Sequence, residues 1–151
     1  MSFTLKLTSI KDGFVKNETS KLKTLDGTLN RYREYLEGFA FETGYLFFDY
    51  ISEFKNPKDS MYYLTIVNNE DGREVYSKPF SAFIKSNFST LKLKNEVIKY
   101  IRFSCKFARE GKNVTEFRHH MDCLARSPIY PEIFGEDGVK ELLKLYDSEK
   151  I

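Results

Sequence analysis

The stretch MYYLTIVNNEDGREVYS, residues 61–77, decides the fold class. Met61 to Val67 is apolar, aromatic and β-branched, which is the composition of a strand. Asn68-Asn69-Glu70-Asp71-Gly72 follows, a polar run ending in the residue that takes positive φ without strain. Arg73 to Ser77 restores strand character, so the stretch is an antiparallel hairpin. Upstream, Phe3, Leu5, Leu7 and Ser9 alternate with Thr4, Lys6 and Thr8. That period of two predicts another strand, closed by Asp12-Gly13. Lys16 to Gly27 is polar and is expected to be a loop. Asp26 or Thr28 is placed to cap a helix running through Leu29, Tyr32, Leu36 and Phe39.

Tyr45 to Ile51 supports two readings. Its density of aromatic and apolar residues favours a strand after a break near Gly44. Yet Phe39, Thr43, Leu46, Phe47, Tyr50 and Phe54 also continue the helical spacing. The strand is the preferred expectation, and Lys55-Asn56-Pro57-Lys58-Asp59 is a loop after it. Downstream, Pro79 opens a short segment through Ile84. From Leu91 the pattern is helical. One helix runs to Arg109 and stops at Gly111, a second covers Thr115 to Ala125, and a third covers Gly138 to Tyr146. Pro128 and Pro131 end the second. Strands that precede helices predict an α+β fold. The expected form is an N-terminal antiparallel sheet of three to four strands with one helix, packed on a C-terminal three-helix half. All of residues 1–151 are expected to form a single domain.

Twenty-four rings, 14 Phe and 10 Tyr with no Trp, point to a Phe-rich core with Tyr at its margins. So many rings also raise the expectation of a homodimer, whose shared surface would hide what one core cannot. The abundance of Lys, Asn, Phe and Tyr fits an AT-rich coding genome, as in many bacterial viruses, so a phage or mobile-element origin is expected. Cys105 and Cys123 are too few for a disulfide framework, and reduced thiols in a cytoplasmic protein are the simplest reading. Met1 to Ile10 has no signal-peptide core, and no apolar run approaches the ~18 residues of a membrane span.

The most distinctive charge pattern lies in Lys92 to Lys112. Lys92, Lys94, Lys99, Arg102, Lys106, Arg109 and Lys112 face only Glu96 and Glu110, a net +5 in a chain of net +2. On a helix, Lys92, Lys99, Arg102, Lys106 and Arg109 fall within roughly one 100° sector. Val97, Ile98, Ile101, Cys105 and Ala108 point the other way. Three accounts of this stripe compete. The acidic tail, with Glu132, Glu136, Asp137, Glu141, Asp147 and Glu149 against three lysines, neutralises it internally. Alternatively, a protein partner with an acidic surface docks on it, with Tyr100, Phe103 and Phe107 as aromatic anchors. In the third account it follows a nucleic-acid backbone, although the near-zero overall charge argues against a dedicated nucleic-acid domain.

Ser127-Pro128-Ile129-Tyr130-Pro131 is a stiff loop that either displays Ile129 and Tyr130 or buries them as a helix connection. His119 and Cys123 share a helix face, with Glu116 one turn back and Asp122 three residues on. That spacing can hold a metal, but two adjacent histidines and no CxxC give it little support. Cys105 lies on an apolar face, as a packed thiol rather than a nucleophile. Glu34, Glu37, Glu42, Asp49 and Glu53 are expected on solvated faces. No P-loop, GxGxxG or GxSxG occurs.

The functional expectation is therefore a non-enzymatic adaptor or inhibitor without a cofactor. It docks an acidic protein through Lys92, Lys99, Arg102, Lys106 and Arg109, joined by Ile129 and Tyr130. A DNA- or RNA-binding accessory protein using the same residues is the alternative, and a metal-dependent enzyme around His119 a distant third.

Overall fold

The computed structural model describes residues 2–9, 13–20, 24–41, 44–54, 56–58, 60–112 and 114–149, with the backbone alone for residues 13–20, 39–41 and 44–46. Four strands form one antiparallel sheet: β1 (Phe3–Ser9), β2 (Gly13–Ser20), β3 (Tyr63–Asn68) and β4 (Glu74–Pro79). Their order across the sheet is β2-β1-β3-β4. Seven helices accompany them among the described residues. Three fall in the first part of the chain: α1 (Leu25–Phe41), α2 (Gly44–Ser52) and α3 (Phe80–Asn87). Four follow: α4 (Thr90–Arg109), α5 (Val114–Arg126), α6 (Ile129–Phe134) and α7 (Glu136–Glu149). The fold is α+β, as the order of strands and helices implies, with more helices in both parts than the spacing suggested.

The period-two strands behave as expected. Phe3, Leu5 and Leu7 are buried, and in register Leu5 stands opposite Ile66 and Leu7 opposite Leu64. These side chains line one face of the sheet and belong to the same buried cluster as the helices. The β3–β4 turn closes with Gly72 at φ 71° and two backbone bonds between its ends, Gly72 N–H to Asn68 O and Asn68 N–H to Arg73 O. β4 is an edge strand with mostly exposed side chains, which matches its polar sequence.

Three expectations are corrected. The segment Lys16 to Gly27, expected as a loop, supplies most of β2 and the start of α1. β2 pairs with the outer edge of β1, and an edge strand needs backbone partners more than apolar side chains. Tyr45 to Ile51 is helical. Phe47, Phe48, Tyr50, Ile51 and the following Phe54 are all buried, and Phe47, Tyr50, Ile51 and Phe54 stand at helical spacing on one face. The helical spacing is the correct signal, and the aromatic, strand-like composition outweighs it in the sequence. Pro79 to Ile84 opens a helix of two turns, with Phe80, Phe83 and Ile84 buried at helical spacing.

The cap of α1 also moves. The Thr24 hydroxyl accepts from Gly27 N–H, ahead of both Asp26 and Thr28. Asp12 of the Asp12-Gly13 turn, and Lys55 and Asp59 of the expected loop, lie outside the described residues.

The long helix α4 follows its sequence closely. Ser89 caps it by accepting from Lys92 N–H. Leu93, Val97, Ile101 and Cys105 are fully buried along one stripe. Each such aliphatic burial is worth roughly 1.5–3 kcal/mol. At the other end Gly111 takes φ 77°, and Lys112 N–H reaches back to Phe107 O, closing the last turn. α7 packs along one flank of α4, and this contact divides the basic stripe. No helix among the described residues is long and apolar enough to cross a membrane.

Candidate functional site

Two places concentrate chemistry: the outer face of α4 and a small polar cluster between α2 and α5. On α4, Lys92, Lys99, Arg102, Lys106 and Arg109 all reach solvent. α7 takes up part of the flanking charge. Lys94 pairs with Glu141, whose carboxyl is held below its usual range by that hydrogen bond. Arg109 Nη2 lies 3.4 Å from Glu149. Within α4, Lys99 lies 3.1 Å from Glu96 but keeps most of its surface. Among the described residues Lys92, Arg102 and Lys106 have no ion pair. The internal account thus covers the flank that faces α7, and the cations of the other flank are left without an ion pair among the described residues.

Amid these cations stands an exposed ring. Phe103 is 63 % accessible and lies one helical turn from both Lys99 and Lys106, with Arg102 adjacent. Its ring meets Phe107 edge-on at 4.6 Å, and Lys112 Nζ sits over Phe107 at 5.7 Å. Tyr100 is buried and cannot serve as an anchor. Leu91 at the start of the same helix is 68 % accessible, although the helical pattern begins there.

Ile129 and Tyr130 are removed from the surface. Both are fully buried in α6, and Tyr130 packs against Phe47, Phe48 and Phe134. Pro128 stands at the N-cap and Pro131 in the first turn, where a missing N–H costs nothing. The loop is the helix connection, with both side chains inside. Among the described residues the exposed rings are those of Tyr35 and Phe103.

The polar cluster is centred on His120 rather than His119. His119 is exposed, 3.9 Å from the Cys123 thiol, while Asp122 is drawn away to Lys58 and Arg126. Both cysteines are buried, and burial pushes both thiols up, the reverse of an activated nucleophile. His120 is buried, with Nδ1 2.8 Å from the Tyr100 hydroxyl and its ring stacked on Phe48. Burial pushes its pKa down to about 4, against the raising effect of Glu116. Asp49 faces it from α2, its carboxyl raised by burial and by the neighbouring Glu116 and Glu53 carboxylates. Glu42 lies outside the described residues. The Glu116-x-x-x-His120 spacing was the available signal for this cluster. Asp49 joins it only because its segment is a helix rather than a strand.

A scan of the chain against protein-family models finds no match, and comparisons with curated proteins and with solved structures find none either.

Proposed function

We propose that this chain is a non-enzymatic interaction protein that docks an acidic protein partner on the outer face of α4. The observation that carries the reading is Phe103, an exposed ring set among Lys99, Arg102 and Lys106. A large apolar ring held in water is costly, and burying it is worth roughly 1.5–3 kcal/mol. Cations around a ring favour a partner whose apolar pocket has a carboxylate rim. Such charges steer encounter and set orientation, and the ring supplies the energy. The role fits an adaptor or inhibitor that works by occupying its partner's surface.

The test compares wild type with Phe103→Ala and with Arg102→Glu plus Lys106→Glu. All three substituted positions are exposed, so the fold should survive, as circular dichroism will show. Proteins captured from an extract of the source organism are identified, purified and titrated against each variant. Support requires direct binding to an acidic protein that Phe103→Ala weakens by about 2 kcal/mol or more, roughly thirtyfold in Kd. Binding that ignores both variants removes the proposal. A parallel salt series with duplex and single-stranded DNA and RNA decides the alternative. Tight binding with a steep salt slope, lost in the double reversal, would transfer the same face to nucleic acid.

A further inference from the structure

Away from the outer face of α4, helices α2 and α5 bring metal-ligating side chains together. Glu116 and His120 are one turn apart on α5, and Asp49 meets them from α2. One ligand atom from each of the three lies within 4.8 Å of the others. His120 Nε2 stands 4.0 Å from Asp49 Oδ1, beyond hydrogen-bond reach. The gap has the width of one bridging ion with bonds of about 2.0–2.2 Å.

The imidazole is built in as ligand imidazoles are. It is 1 % exposed, and its other nitrogen, Nδ1, is engaged by the Tyr100 hydroxyl. Such outer contacts fix ring orientation and tautomer in metal sites. With the proton on Nδ1, donated to Tyr100 Oη, the Nε2 lone pair faces the two acids. Burial keeps the ring neutral at pH 7, which is the ligating form. Glu53 adds negative potential at Asp49, and the mutual repulsion of these carboxylates is what a cation relieves.

We propose that Asp49, Glu116 and His120 bind one divalent transition-metal ion of the Zn²⁺ class. One imidazole nitrogen with two carboxylate oxygens suits zinc and its neighbours better than calcium or magnesium, which take oxygen alone. The ion joins α2 to α5 and leaves a coordination position open to water.

The full chain, stripped with EDTA and dialysed, is titrated with ZnCl₂ by calorimetry while its Tm is followed. One ion per chain and a raised Tm are expected. Glu116→Gln and Asp49→Asn should each weaken binding by about tenfold or more. Both positions are solvent-accessible, and circular dichroism confirms that each variant is folded. His119→Gln, exposed and outside the cluster, should leave affinity unchanged. In wild type the His120 Nε2 resonance should shift on zinc addition. Absence of stoichiometric uptake up to millimolar zinc overturns the proposal. Wild-type affinity retained in both carboxylate variants does the same, because it places the ion elsewhere.

Discussion

Replacing Tyr130 by Phe removes one oxygen atom from the interior, and the structure sets the sign of the effect. Tyr130 is fully buried and its hydroxyl has no hydrogen-bond partner among the described residues. Burial drives the phenol pKa well above its ordinary value, as expected of a polar group in an apolar shell. That shell is aromatic: Phe47, Phe48 and Phe134 lie with ring centroids 5.4–6.3 Å away. A hydroxyl taken from water without a replacement bond costs about 1–3 kcal/mol. Against this, the lost oxygen forfeits a few dispersion contacts of about 0.1–0.2 kcal/mol each. Tyr130→Phe should therefore stabilise the fold by about 1–2 kcal/mol. Tyr32→Phe is the control. The Tyr32 hydroxyl bonds the buried Tyr50 hydroxyl, so the same deletion there breaks a bond and should destabilise by about 1–3 kcal/mol. Urea unfolding at constant m-value reads both changes. Destabilisation by Tyr130→Phe of about 1 kcal/mol or more would refute the reasoning, since it would mean that a trapped water satisfies the hydroxyl.

Two further outcomes follow from the backbone and from charge. Gly111→Ala places a Cβ on a residue at φ 77°, so thermal unfolding should show a loss of about 1 kcal/mol although the site has open space around it. His120 has a folded pKa of about 4 against an unfolded value of 6.5, so folding favours the neutral ring. The unfolded chain then binds the extra proton first as pH falls. In EDTA, stability should be constant above pH 6.5 and lose up to about 3 kcal/mol between there and pH 4. The raised Asp49 offsets part of the loss at the acid end. His120→Gln should flatten the profile, and an unflattened profile assigns the acid sensitivity to other groups.

What was legible in the sequence depended on whether a segment faces two environments. β1 and α4 each have a wet side and a dry side, so their periods are written into the residue order. α2 is short and dense in rings, so its helical spacing at Phe47, Tyr50, Ile51 and Phe54 competes with a composition that favours a strand. β2 fails for the opposite reason: its polar residues record nothing of the β1 edge that holds them. Pro128 and Pro131 lie beyond the end of α5 at Arg126, as expected, and both also occupy positions at the start of α6 that prolines tolerate. The basic stripe was visible because one helix carries all of it. Its division was not, since that depends on which flank α7 covers. The cluster at His120 needs Asp49 from a distant helix, and only the packing of α2 on α5 brings it there.

The division of the stripe bears on how a partner would be held. Glu141 and Glu149 of α7 already answer Lys94 and Arg109 along one flank, leaving Lys92, Arg102 and Lys106 to define the direction of the remaining positive field. On the proposed docking mode an acidic surface would be drawn toward the side of α4 away from α7, where Phe103 stands. Exposed ion pairs contribute about 0–1 kcal/mol each, so the cations cannot supply the affinity by themselves. Their effect falls on the encounter rate, which salt screens over about 8–10 Å. The ring, once buried, governs escape. On the proposed docking mode, reversing Arg102 and Lys106 lowers the association rate and flattens its salt dependence, whereas Phe103→Ala raises the dissociation rate and leaves the salt slope alone. If both substitutions moved the same rate constant, charge and ring would not be acting as separate parts of one surface, and the geometry of α4 would lose its claim to explain recognition.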